Sequence, residues 1–312
     1  MRRMFALTLA AAALAPLTAC DTLQTGTESN FSFKLDTDDR LFPAPFNTPI
    51  AAGFSVDVET YLASDTSKTA EIVLAQSLDQ SIARVTGTTG NRFTVEGRQA
   101  GTATIEVKGP GGGDTVDMSV AELAKVKLTY PGLLLVPASP PIYVAEGGTA
   151  YFGVTLMDAT SRTLVGYGQF PVTITPSSAG AAKASTDVAH LAVTFTETGA
   201  VTLEPLGESA LEVTVVPVTD IATLAFEVSA AQAITVNGSG LVVVRGEKDD
   251  ASKVFGLSNL ATVTATTPDT CRVEASPRLG DAVYTVYGKA SGACALTATL
   301  GALSADATVT IQ

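Results

Sequence analysis

The chain has no tryptophan, one histidine and three cysteines, and charged residues make up only 16% of it. Each shortage closes off a class of function. With His190 the only imidazole, any Ser-His-Asp or Cys-His arrangement must use it, and a nucleophile needs its base within hydrogen-bond reach and held by a third group. Nothing around His190 in the sequence supplies either, so it reads as a structural or surface residue. Lysine and arginine number 19 against 31 acids, a formal net charge of −12. Such a surface repels nucleic acid and offers no basic patch for phosphates. Gly109-Pro110-Gly111-Gly112-Gly113-Asp114 is glycine-rich but lacks the Lys and Ser/Thr of a phosphate-binding loop, and it joins two alternating runs as a hairpin loop does. Long apolar runs are also missing. The only candidate, Met4 to Leu14, is shorter than the roughly 20 residues a spanning helix requires.

That short run belongs to the most informative stretch. Met1-Arg2-Arg3 is a positive start, Met4 to Leu14 is apolar and uncharged, and Leu17-Thr18-Ala19-Cys20 closes the sequence of features. The whole resembles the signal peptide and lipobox of bacterial lipoproteins, rather than an ordinary signal that happens to end in cysteine. The resemblance implies cleavage before Cys20, a diacylglyceryl thioether on its sulfur, and anchorage in a bacterial inner or outer membrane. The body would then lie in the periplasm or at the cell surface. Two or three acyl chains hold a bilayer far longer than one. Residues 1–19 are thus expected to be signal peptide, and residues 20–30 the lipidated cysteine and a polar tether.

Three cysteines are odd for an exported protein. With Cys20 assigned to lipid, Cys271 and Cys294 remain, and they can pair in an oxidising compartment; the alternative is two buried free thiols. Val273 and Leu296 each stand two residues beyond one of these cysteines, so in strands they share its face. A bridge across that loop contributes about 3 kcal/mol in the chain-entropy model.

From Phe31 onward the pattern alternates. Phe31, Phe33 and Leu35 fall on one face, and Phe54, Val56 and Val58 repeat the pattern, as in half-buried strands. Only Ser67 to Gln76 reads as a helical turn or two. A weak internal repeat organises the rest. Phe93-Thr94-Val95 precedes Gly101, Leu191-Ala192-Val193 precedes Gly199, and Tyr284-Thr285-Val286 precedes Gly292. Each glycine marks a hairpin corner, followed by a core-facing residue at Ala103, Val201 or Cys294. The spacing of the glycines is close to the roughly 100 residues of an immunoglobulin-type sandwich. The expected fold class is all-β: three tandem immunoglobulin-like β-sandwich domains, at 31–122, 123–217 and 218–312, with almost no linker between them.

Ser81-Ile82-Ala83-Arg84-Val85, Phe93 to Gly97 and Gly101 to Ile105 resemble the bacterial Ig-like domain, group 2. The third unit is similar through Cys271-Arg272-Val273, Val283 to Gly288 and Gly292 to Leu296. The second departs, with Phe195 where Gly97 and Gly288 stand. The resemblance implies an envelope or surface protein whose sandwiches act as spacers or binding modules.

No cofactor is expected. Zinc lacks ligands, and calcium has only the weak groups Asp36, Asp38, Asp39 and Glu247, Asp249, Asp250, which read as solvated turns. Asp57 and Glu59 share a strand face and read as its wet side. Leu133-Leu134-Leu135-Val136 reads as a core strand breaking at proline. Gly166-Tyr167-Gly168-Gln169-Phe170-Pro171 sets Tyr167 and Phe170 in a loop, a possible binding surface unless the rings fold back. The expected function is non-catalytic: interaction or adhesion to an envelope protein or polysaccharide, or else a structural spacer without a ligand.

Overall fold

A computed structural model describes residues 22–37, 44–133, 136–186, 190–228, 233–276 and 281–312. The signal segment, Cys20, Asp38, Asp39, Leu134 and Leu135 lie outside them. The described chain is all-β; its one helical piece is a 3₁₀ turn at Val218–Asp220.

In the first unit, Phe31–Asp36, Ser55–Leu62, Arg92–Gly97 and Ala83–Thr89 lie side by side in one sheet. Ile50–Ala51, Gly112–Ala121, Gly101–Gly109 and Leu74–Ser77 form the facing sheet, with Ile50 running parallel to Val120. This is the strand arrangement of an immunoglobulin sandwich, read from the pairing itself. The alternating apolar residues point inward: Phe33, Leu35, Val56 and Val58 are all fully buried.

The same connectivity recurs twice. In the second unit Lys125–Thr129 and His190–Phe195 flank the long strand Tyr143–Met157. The first residues of that strand also run parallel to Leu211–Val216, beside Gly199–Pro205 and Val172–Thr175. In the third, Thr223–Val228, Ser239–Glu247, Val283–Gly288 and Cys271–Ala275 face Thr262–Ala265, Gly292–Leu300 and Leu303–Ile311. Buried apolar side chains gather in three clusters accordingly.

Three expectations need correction. The glycine corners are not hairpins. Arg92–Gly97 and Gly101–Gly109 belong to opposite sheets, so the chain arches across the core there. Glycine is still required: φ is +154° at Gly101, +126° at Gly199 and +143° at Gly292, a region side chains avoid. Ala103, Val201 and Cys294 do face the core, each at most 1% exposed. Second, Ser67 to Gln76 is not helical. Asp65–Thr69 and Leu74–Ser77 are strands, and Ala70, Ile72, Ala75 and Ser77 are buried.

Third, the expected tether at 20–30 is structured from residue 22 on. Leu23–Thr25 pairs with Ser32–Lys34. Asp114, 2% exposed, then accepts the backbone N–H groups of Glu28 at 2.7 Å, Asn30 at 2.9 Å and Phe31 at 2.9 Å. Gly26 packs against that carboxylate, where a Cβ would lie 2.3 Å from it. Polarity here satisfies a buried acid instead of solvating a free segment.

Adjacent units also share core residues. Phe54, Ala51 and Ala121, from the first unit, belong to the second cluster, and Val165 of the second unit belongs to the first. Phe255 joins the second cluster, while Ala145 and Val216 join the third.

Candidate functional site

Of the side chains picked out from the sequence, Tyr167, Phe170 and Asp57 meet at the seam between the first two units. In the first seam Val165 extends the first unit's sheet. Ala51 N donates to Val165 O at 2.9 Å and Val165 N donates to Pro49 O at 2.9 Å, while Ser55 and Tyr167 exchange backbone bonds at 3.0 and 2.8 Å. The loop 166–171 therefore does not display its aromatics. Phe170 is 1% exposed and stacks on Phe54 with ring centroids 5.6 Å apart. The expectation of a binding surface at Phe170 fails because its ring partner lies in a different unit. Half-buried Tyr167 donates its hydroxyl to Asp57 Oδ1 at 2.9 Å, and Thr94 Oγ1 donates to the same oxygen at 2.6 Å. Burial and the adjacent Asp57 carboxylate push the Tyr167 hydroxyl up to about 12, because both disfavour the phenolate.

Asp57 and Glu59 are thus only partly a wet face. Glu59 accepts the Tyr61 hydroxyl at 2.6 Å and an Arg92 bond, and Arg92 also meets Asp36 at 2.8 Å. Burial raises Glu59, but the Tyr61 hydrogen bond and Arg92 outweigh it and hold the carboxyl below its usual range. These acids are held by protein donors. His190 begins its strand opposite Gly153, and its carbonyl accepts Ser185 Oγ at 2.9 Å. Among the described residues no three His, Cys, Asp or Glu side chains gather to hold a metal ion. Asp250 accepts the Ser252 amide at 3.0 Å, which is turn chemistry.

The second seam repeats the first. Tyr143 and Val144 run parallel to Val254 and Phe255. Asn259 locks the contact: its Oδ1 accepts Thr149 N at 2.7 Å and its Nδ2 donates to Gly147 O at 2.9 Å. Beneath it Asp281, 2% exposed, accepts Gly256 N at 2.6 Å and Ser258 Oγ at 2.8 Å. Burial pushes its carboxyl up. Arg245, 3% exposed, lies 4.8 Å from the Phe255 ring and 3.1 Å from Glu227. A cleft of about 190 Å³ opens here between Tyr151, Lys183, Asn259 and Tyr284.

Cys271 and Cys294 form a disulfide, with Cα atoms 5.7 Å apart, that joins the two sheets of the third unit. Ala83 and Ala103 hold the matching places in the first unit, with Ala83 opposite Gly97 as Cys271 is opposite Gly288. In the second unit Phe195 stands in the place of Gly97 and Gly288, and Gly180, opposite it, in the place of Ala83 and Cys271. One surface has no counterpart among the residues singled out from the sequence. The edge strand Leu74–Ser77, with Leu74 38% exposed, is flanked by Val73, 69% exposed, and Leu78, 64%.

No protein-family model matches the chain, and no curated protein matches it. Solved structures overlap it at low identity. Domains 4–9 of the surface-layer protein SbsC share 17% identity, with 94% of this chain and 46% of that one covered, at a TM-score of 0.34. This chain therefore spans less than half of that structure. The Escherichia coli adhesin FdeC shares 14%, covering 93% and 98%, at 0.27. Invasin, a bacterial integrin-binding protein, shares 13%, covering 90% and 60%, at 0.27. At such scores these likenesses carry no argument about function.

Proposed function

We propose that the chain is a non-catalytic envelope lipoprotein. Its Cys20 carries the lipid, and its immunoglobulin-like units serve interaction with or adhesion to an envelope protein or polysaccharide. The observation that carries the interaction half is the apolar edge at Val73, Leu74 and Leu78. Exposed strand edges with large apolar side chains invite pairing with another chain, and soluble proteins usually blunt them with charge or proline. The anchoring half rests on the lipobox resemblance alone. The seams favour a second reading, a structural spacer, since units that share a sheet and exchange core residues hold a fixed separation.

Two experiments test this. Cys20→Ser should move the protein from the membrane fraction to the soluble fraction; retention in the membrane contradicts lipidation. Capture of envelope proteins and glycans by the full chain should weaken at least about tenfold in Val73→Lys/Leu78→Lys, the cost of losing roughly 1.4 kcal/mol of contact. Blank capture by the unaltered chain favours the spacer.

A further inference from the structure

Both seams use one device. On the accepting side is a short stretch of strand, Ile50–Ala51 or the first residues of Tyr143–Met157, whose inner edge pairs in parallel with its own unit's last strand. Ile50 sits opposite Val120, and Val144 opposite Val215. Its outer edge accepts an extended segment of the next unit, Val165 in one case and Val254–Phe255 in the other. A left-handed residue three places on turns the chain into the following strand: Gly53 at φ +85° and Gly147 at φ +73°.

The donating side repeats as closely. Leu164-Val165-Gly166 follows a turn in which Asp158 N donates to Arg162 O at 3.1 Å, with Ser161 at φ +65°. Val254-Phe255-Gly256 follows one in which Lys248 N donates to Ser252 O at 3.0 Å, with Ala251 at φ +63°. The closing glycine is needed because the acceptor presses on it. A Cβ at Gly166 would lie 2.6 Å from Phe54 Cβ, and one at Gly256 would lie 2.7 Å from Val144 Cγ1.

The third unit has the acceptor in full. Ile234 lies opposite Ile311, and Ile234 N donates to Thr310 O at 3.0 Å. Asn237, three places on, has φ +64°. Its N–H donates to Gly288 O at 2.9 Å, as that of Gly53 donates to Gly97 O at 2.7 Å. Ala233 O and Thr235 N take the places of Pro49 O and Ala51 N, and both residues are exposed, as is Val236. Among the described residues no strand pairs with this edge.

We propose that the outer edge at 233–236 docks the extended apolar-apolar-Gly segment of another immunoglobulin-like domain, adding it as a parallel strand in the register of the two internal seams. Main-chain bonds supply affinity, and the glycine requirement supplies selectivity. The first unit of a second copy does not fit. Its corresponding stretch, Leu62 to Ile72, folds onto its own unit at Thr69 and Ala70 and contains no glycine. The proposal deepens the interaction reading and rests on it for the class of partner.

The test titrates the isotopically labelled full chain with a synthetic peptide of the sequence 248–259, followed by amide shifts and hydrogen exchange. Saturable binding that protects the Thr235 amide is expected. Replacing the peptide's Gly256 with valine, or Thr235→Pro in the protein, should weaken it by about tenfold or more, as for the loss of one edge contact. The peptide variant keeps the test valid should Thr235→Pro misfold. No protection at Thr235, equal binding by the valine peptide, or shifts confined to Tyr143–Ala145 would overturn the proposal. That failure leaves envelope capture through Val73 and Leu78 untouched, and blank capture leaves a positive peptide result standing.

Discussion

Phe170→Ala tests whether the first seam bears on folding stability or merely touches. Phe170 is 1% exposed and Phe54 5% exposed, with the rings stacked at 5.6 Å and 25° between planes. Truncating a buried phenylalanine to alanine costs about 3–5 kcal/mol, combining lost transfer energy with the residual cavity. One wall of this site is the loop 166–171, which can close partly around the void, so the low end, about 3 kcal/mol, applies. Of that, the ring pairing itself is worth about 1 kcal/mol, which a double-mutant cycle with Phe54→Ala should return as coupling energy. The assay is guanidinium unfolding with linear extrapolation, accompanied by hydrogen exchange at the Ala51 amide, whose acceptor is Val165 O. Faster exchange at Ala51 is expected, because that bond lies within the same seam. A cost below about 1 kcal/mol, or coupling indistinguishable from zero, would refute the argument, since surface contacts stay within that range.

The Tyr167 hydroxyl and the disulfide of the third unit give two further outcomes. Tyr167 should titrate at about 12, with burial and Asp57 opposing its ionisation. Its folded pKa is raised above the unfolded value of 10.0. The stability it contributes is therefore fully present below pH 10 and is lost as pH rises towards 12. Tyrosinate absorbance of Tyr167→Phe should lack one late-titrating group, and an unchanged curve contradicts the assignment. Replacing both Cys271 and Cys294 with alanine opens a loop of sequence separation 23 and should cost about 3 kcal/mol in chemical unfolding; no change in the midpoint contradicts a bridging role.

The strands and their inward faces were legible because alternation is a local signal: Phe31, Phe33 and Leu35 announce a half-buried strand without reference to anything distant. The recurring glycines were legible too, but their geometry was not. A glycine ahead of a strand looks the same whether the chain folds back in one sheet or arches to the facing one, and only the partners of Gly101–Gly109 decide it. The seams were missed for the same reason. Phe170 reads as a displayed ring until Phe54, far away in sequence, is known to cover it. Phe54 in turn reads as the first unit's core, yet it packs in the second unit's cluster. A signal was present in Leu164-Val165-Gly166 and Val254-Phe255-Gly256, an apolar pair closed by glycine at matching places in successive units. Asp114 was hidden differently: as the last residue of a glycine-rich loop it passes for solvated, whereas the N–H groups of Glu28, Asn30 and Phe31 converge on it.

Successive sandwiches joined by inserted segments should move as one piece. Residual dipolar couplings measured on the intact protein in a dilute aligned medium test this. One alignment tensor should fit the amides of Val58, Val193 and Val286 together with their neighbours in all three units. Three tensors of different magnitude and orientation would show hinges at the seams and contradict the account.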